Sequence, residues 1–197
     1  MKEIAAGPNA ILFLGDSLTR KWDQALWDRF FAPSGALNLG VNGDKTENLL
    51  WRLQNGNLNG QHPTAVVLLI GTNDIGRNRA ATVIAQGIRD ILTLLRERLP
   101  ATRILLLGVL PRSASPGSRR RMQVAAVNHL LQTCEDREYV FYADLGDTLL
   151  DADGRLSPEI SFDGVHLSAQ GYALLTPQVA TKLNNILNLP IRTGPSR

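Results

Sequence analysis

The residue types that let a hydroxyl attack an electrophilic carbon occur in this chain where a fold could collect them. Ser17 follows a run that reads as a strand and precedes one that reads as a helix. Its hydroxyl is therefore expected at the open end of a sheet, where the N–H groups of the helix it opens point toward developing negative charge. A serine hydroxyl is a weak nucleophile alone and needs a neighbouring base. Taken by itself, Ser17 reads as a helix N-cap.

Three histidines are available as that base. His62 precedes Pro63 in a loop and His129 sits inside a helical run, so both read as surface or packing residues. His166 differs, because it lies in Phe162-Asp163-Gly164-Val165-His166-Leu167, just before the last helical run. If that segment turns, Asp163 can take the imidazole Nδ1–H and leave Nε2 free to accept a serine proton. The plainer reading is a salt-bridged histidine capping the last helix.

Acyl transfer also needs donors for the oxyanion that forms on the carbonyl oxygen. Gly43 could present a backbone N–H closely, having no side chain. Asn73 offers a side-chain amide straight after a strand run. Each has a bland alternative, a turn glycine and an Asx-turn. Serine, glycine, asparagine and the aspartate–histidine pair nevertheless all fall at strand exits or in one late loop.

The elements that must position them alternate along the chain. Short, mostly continuous apolar runs at 10–14, 36–39, 65–70, 103–109 and 140–143 read as parallel strands covered on both faces. Amphipathic runs at 22–31, 48–54, 81–98, 119–135 and 169–187 read as helices, with Asp44 and Glu47 resembling a capping box for the second. This alternation predicts an α/β/α three-layer sandwich, flavodoxin-like, on a five-stranded mostly parallel sheet. Ligands of such folds bind beyond the carboxyl ends of the strands, where the strand order reverses. One domain over 1–189 and a flexible tail over 190–197 are expected.

Composition excludes several classes. The chain has 197 residues, 44% hydrophobic and 20% charged, with a net charge of +3, which reads as globular and gives no cue to nucleic acid. The longest apolar stretch, 65–70, is far short of the roughly 20 residues that span a bilayer, and no secretory signal pattern is visible. A cytoplasmic protein without stable membrane insertion is the default expectation. The one cysteine, Cys134, is expected as a buried structural thiol. Arg119-Arg120-Arg121 reads as a solvated helix start, and Asp151-Ala152-Asp153-Gly154 as a turn lacking the remaining ligands of a calcium loop. No Gly-x-Gly-x-x-Gly follows the first strand, so a dinucleotide fold is poorly supported.

Four blocks together resemble the SGNH (GDSL) hydrolase superfamily: residues 11–18 around Gly15-Asp16-Ser17, residues 38–44 around Gly43, Gly71-Thr72-Asn73-Asp74, and Asp163-Gly164-Val165-His166-Leu167. Within it, Leu50-Trp51-Arg52-Leu53, Gly108-Val109-Leu110-Pro111-Arg112 and Asp153-Gly154-Arg155-Leu156-Ser157 are similar to the catalytic subunits of intracellular platelet-activating-factor acetylhydrolase. The resemblance implies Ser17 as nucleophile and as one oxyanion donor through its own N–H. It implies Gly43 and Asn73 as the other donors, and His166 as base and acid oriented by Asp163. It also implies no metal and no organic cofactor, and subunits that pair as a homodimer. The chain departs from that branch at Val41-Asn42-Gly43, where a second glycine is usual, and at Asp74, where asparagine is common.

The resulting expectation is a carboxylic ester hydrolase working through an acyl-enzyme. With no inserted lid legible, its site should be shallow, taking small-molecule esters with acetyl to butyryl groups on a lipid or sugar alcohol. Lysophospholipid or thioester hydrolysis with longer acyl chains is the alternative within the superfamily. A non-catalytic binding module on the same fold and a phosphate or nucleotide binder are the rivals outside it.

Overall fold

The computed structural model describes residues 11–187. Ala10, assigned to the first strand from sequence, and the tail over 190–197 lie outside the described residues. Five strands form one wholly parallel sheet: β1 (Ile11–Gly15), β2 (Leu37–Asn38), β3 (Ala65–Leu69), β4 (Arg103–Leu107) and β5 (Val140–Ala143), in the order β2-β1-β3-β4-β5. The chain leaves β1 toward one edge and then returns to its other side, so the order reverses beside β1. A crevice is expected there.

The central strands are apolar at every position because both faces are covered, and successive side chains point to opposite faces. Leu12, Leu14, Val66, Leu68, Ile104 and Leu106 join one aliphatic cluster with α3 (Thr46–Arg52), α5 (Ala81–Arg98) and α6 (Arg119–Leu131). Ile11, Phe13, Val67, Leu69, Leu105 and Leu107 join the other, with α1 (Ser17–Arg20), α2 (Gln24–Phe30) and α7 (Ala169–Leu187). This makes the three layers of the expected α/β/α, flavodoxin-like fold. The second cluster is the aromatic one. Phe13 lies 4.7 Å from Phe31, 4.8 Å from Trp27 and 5.5 Å from Trp22 by ring centroid, mostly edge-on. Losing such a ring from a core costs about 3–5 kcal/mol.

Two α-helices went unread in the sequence. α1 and α4 (Thr72–Gly76) are single turns placed directly after β1 and β3, too short to show a helical period. The cap of α3 also differs from expectation. Asp44 does not cap it, because its carboxylate is taken by Arg52 eight residues on. The N-cap is Lys45, whose N–H donates to Asn48 Oδ1 at 3.1 Å, and Glu47 pairs instead with Lys45 and Arg79. For both carboxylates a pair with a cation takes the place of a bond to a helix N–H. Cys134 is half-buried against the aliphatic cluster rather than sealed inside it.

Candidate active site

Ser17 is the first residue of α1 and almost wholly buried at the carboxyl end of β1. Tight packing puts it there. A Cβ on Gly15 would sit 2.2 Å from the Leu69 carbonyl oxygen and 2.3 Å from Thr19 Oγ1, so only glycine lets the chain turn into α1 against β3. Gly40 serves the neighbouring strand exit in the same way, with Arg20 N 2.4 Å from where its Cβ would stand. Asp16 caps α1, its Oδ1 accepting from the Leu18 N–H at 2.9 Å.

His166 arrives from the other end of the chain. Its Nε2 lies 2.9 Å from Ser17 Oγ, across 149 residues of sequence. Its Nδ1 lies 2.7 Å from Asp163 Oδ2, while Asp163 Oδ1 accepts the backbone N–H groups of Val165 and His166 at 2.9 and 2.7 Å. Burial pushes the Asp163 carboxyl up. The three hydrogen bonds from His166 and Val165 outweigh this and hold it below its ordinary value, so it stays charged. An ionised Asp163 favours a proton on Nδ1, an arrangement in which Nε2 can accept a hydrogen bond from the serine hydroxyl.

Long-range bonds dock this loop. The Ser113 N–H donates to the Gly164 carbonyl at 2.7 Å, behind the start of α7. The Tyr172 hydroxyl donates to the Leu18 carbonyl at 2.7 Å, and Trp22 Nε1 donates to Thr176 Oγ1 at 2.9 Å. Both ties are buried and join α7 to the α1 region, so histidine and serine are held in one frame.

Gly43 and Asn73 meet each other through the next residue. Asn73 Nδ2 donates to the Asp44 carbonyl at 2.9 Å, which uses one amide hydrogen and leaves the other without a partner among the described residues. Gly43 lies in a turn at φ +83°, closed by the Asp44 N–H to the Val41 carbonyl at 3.2 Å. The same turn is anchored to β1 by the Val41 N–H to the Gly15 carbonyl at 3.1 Å. Serine, glycine and asparagine thus stand on adjoining strand exits. His62 and His129 are both exposed and away from them. Asp151 Oδ1 accepts the N–H groups of Asp153 and Arg155, so that acidic stretch is a closed turn. Among the described residues no group of three or more His, Cys, Asp or Glu is placed to hold a metal ion.

The chain that brings a hydroxyl, an imidazole and a carboxylate into bonded series is similar over most of its length to known proteins. The model of the GDSL-like lipase/acylhydrolase family matches residues 13–174. The chain belongs to that family. Platelet-activating factor acetylhydrolase IB subunit alpha2 of Rattus norvegicus is 37% identical over 165 residues, covering 83% of this chain and 71% of the relative. The human alpha1 subunit is 37% identical over 166 residues, covering 82% and 70%. A solved structure from Streptococcus pneumonia, provisionally described as a platelet activating factor, superposes with a TM-score of 0.81 at 29% identity, covering 92% of this chain and 86% of that one. This GDSL-family chain is a carboxylic ester hydrolase.

Around Ser17, Gly43, Asn73, Asp163 and His166 lie side chains whose roles the sequence did not announce. Asp16 is 1% exposed, and its Oδ2 has no hydrogen-bond partner among the described residues. Burial first, then the charges of Asp44 and Asp74, push its carboxyl up to about 7 against the Leu18 N–H and the Arg112 charge. Asp74, marked from sequence as a departure, is fully buried and accepts the Thr46 N–H at 3.0 Å and the Thr46 hydroxyl at 3.1 Å. It braces α3 and cannot touch a ligand. Arg112 donates to the carbonyl and hydroxyl of Thr72, both at 3.0 Å, tying the β4 exit to α4. Buried partners of this kind leave only weak traces in a sequence, a polar residue one to five positions beyond a strand end. Among the described residues no helix is long and apolar enough to cross a membrane.

Proposed function

We propose that the protein is a serine-dependent carboxylic ester hydrolase that works through an acyl-enzyme on short acyl esters. The observation that carries this reading is the continuous hydrogen-bonded series from Ser17 Oγ to His166 Nε2 (2.9 Å) and from His166 Nδ1 to Asp163 (2.7 Å). Ser17 Oγ attacks the acyl carbon as its proton passes to Nε2. The Ser17 and Gly43 N–H groups and the second Asn73 amide hydrogen take the oxyanion charge. Nε2–H then protonates the departing alcohol, and water repeats the sequence on the acyl-enzyme. Asp163 stays ionised throughout and stabilises the imidazolium.

Substrate size is read from the rim. His166, Asp163 and Phe162 are open to solvent, and Phe162 stacks on the imidazole at 6.5 Å between ring centroids. A shallow rim gives little apolar area to a long chain, which favours acetyl to butyryl groups on a lipid or sugar alcohol. The relatives named as acetylhydrolases support the short end of that range. Pairing of two copies and a cytoplasmic setting belong to the same proposal.

A fluorophosphonate probe tests the mechanism, and p-nitrophenyl esters of graded length test the substrate class. Single labelling at Ser17, with turnover falling on the order of 10⁴-fold or more in Ser17→Ala, is expected. Labelling at another serine, or activity that survives the substitution, would refute the assignment. A preference for octanoate over acetate would move the substrate to the longer-chain alternative.

A further inference from the structure

The glycine turn that carries one oxyanion donor has few bonds of its own, so something else must hold it still. Asp44 does this with both ends of the residue. Its carbonyl accepts from Asn73 Nδ2 at 2.9 Å, and its carboxylate Oδ2 receives Arg52 Nε at 2.8 Å, with Arg52 Nη2 at 2.7 Å. Both side chains are largely withdrawn from water, at 9% exposure for Asp44 and 14% for Arg52. The Nε–H bond fixes direction as well as distance, and Nη2 adds its charge beside the same oxygen without a hydrogen bond of its own among the described residues.

Arg52 is the last residue of α3, and Thr46, the first, is bound by N–H and hydroxyl to Asp74. Asp74 follows Asn73 in the chain, and Asp44 precedes Thr46 by two. The contacts therefore close a ring: Asp44 to Arg52, along α3 to Thr46, across to Asp74, and back through Asn73 to the Asp44 carbonyl. Arg79 joins at Asp74 at 3.2 Å, and Glu47 pairs with Arg79 outside the ring. Opening the ring at Arg52 leaves a nearly buried carboxylate without its counter-charge. Such a group turns toward water rather than remain unpaired. That motion would rotate the peptide that accepts from Asn73 and adjoins Gly43.

We propose that Arg52 is a positioning residue for the oxyanion hole: its ion pair with Asp44 holds the Gly43–Asp44 peptide and the Asn73 amide in one arrangement. This rests on the reading of Gly43 and Asn73 as oxyanion donors. Arg52 touches no reacting atom, so its effect belongs to the transition state and not to substrate binding.

The test is a set of variants assayed on p-nitrophenyl acetate, each with its Tm and its fluorophosphonate labelling. Arg52→Met should lower kcat about 10-fold or more with KM changed less than about 2-fold, and Arg52→Lys should recover part of the loss. Asn73→Ala alone should cost roughly 100- to 1,000-fold in kcat. In that background the Arg52→Met loss should shrink below about 2-fold, since both act on one group of donors. An equal loss in both backgrounds, or a raised KM with intact kcat, would overturn the positioning role. If Arg52→Met fails to fold, the Asp44→Asn, Arg52→Met double variant, which buries no unpaired charge, decides: full kcat there ends the proposal. A parent that is not labelled at Ser17 ends the hydrolase reading and this inference with it. Labelling at Ser17 with an impaired Asn73→Ala, but an unimpaired Arg52→Met, rejects the positioning role alone.

Discussion

The two halves of the site are built on opposite plans. Ser17, Asp16, Asp44 and Asp74 lie buried at strand exits, and Ser17, Asp44 and Asp74 bond to groups 149, 29 and 28 positions away in sequence. Asp163 and His166 sit 37% and 27% exposed in a loop whose internal bonds all fall within four residues. Charge stabilisation gains strength where water is excluded, because the local dielectric is low. In the mechanism we propose, the proton shuttle must instead meet the leaving alcohol and the incoming water, which a place at the rim allows. Dryness is supplied by tertiary packing and reach by a short local turn.

The sharpest way to break this contrast is to damage the rim without touching the packing. Asp163→Asn keeps an oxygen for the backbone N–H groups of Val165 and His166 but sets an amide against the imidazole. It should lower kcat on the order of 10⁴-fold by favouring the wrong tautomer. Its Tm should stay within about 2 °C of the parent, because the loop is exposed and its backbone bonds survive. A large fall in Tm, or a kcat within tenfold of the parent, would show that the rim carries structure and not chemistry.

The buried half should declare itself through stability and pH. The Asp16 carboxyl is raised from 3.8 to about 7 in the folded protein, so the native state holds its proton more tightly than the unfolded chain. Stability from this group is present in full below the unfolded value. It is lost as pH rises toward the folded value and stays lost above it. Asp16→Asn removes that dependence while keeping the oxygen that caps α1. Its stability relative to the parent should rise by roughly 2–3 kcal/mol between pH 5 and pH 8, about 5–10 °C in Tm. Any penalty from the new amide is the same at both pH values and cancels. A relative Tm that does not move with pH would show that the carboxyl ionises normally.

The smallest effect is expected at the outermost group. Phe162 is 72% exposed and stacks on the His166 ring, so Phe162→Ala removes one exposed face of contact from the imidazole. A loss of about 2- to 5-fold in kcat/KM, with unchanged Tm, fits one ring contact of this kind. A loss above about 50-fold would make Phe162 part of the substrate pocket and draw the rim closer in character to the buried half.

Much of this was legible before any coordinates. Continuous apolar runs gave the parallel strands because a strand covered on both faces has no polar side to show. Glycine, serine, asparagine and aspartate at strand ends marked the open edge of the sheet. α1 and α4 stayed hidden because four or five residues cannot display a helical period. Asp44 was misread as a cap because an acidic residue three before a glutamate looks the same whether it serves a helix N–H or a distant guanidinium. Only the fold chose Arg52.

The sequence by itself determined the layers, the strand exits and the local Asp163–His166 turn, since each depends on patterns a few residues long. Tertiary structure alone decided that Ser17 and His166 bond across 149 positions. It also decided that a ring through Arg52 and Asp74 underlies the glycine turn, and that Asp16 keeps an oxygen without a partner among the described residues. Those pairings link residues with no shared periodicity. Packing, by excluding water from some polar groups and not others, is what selects their partners.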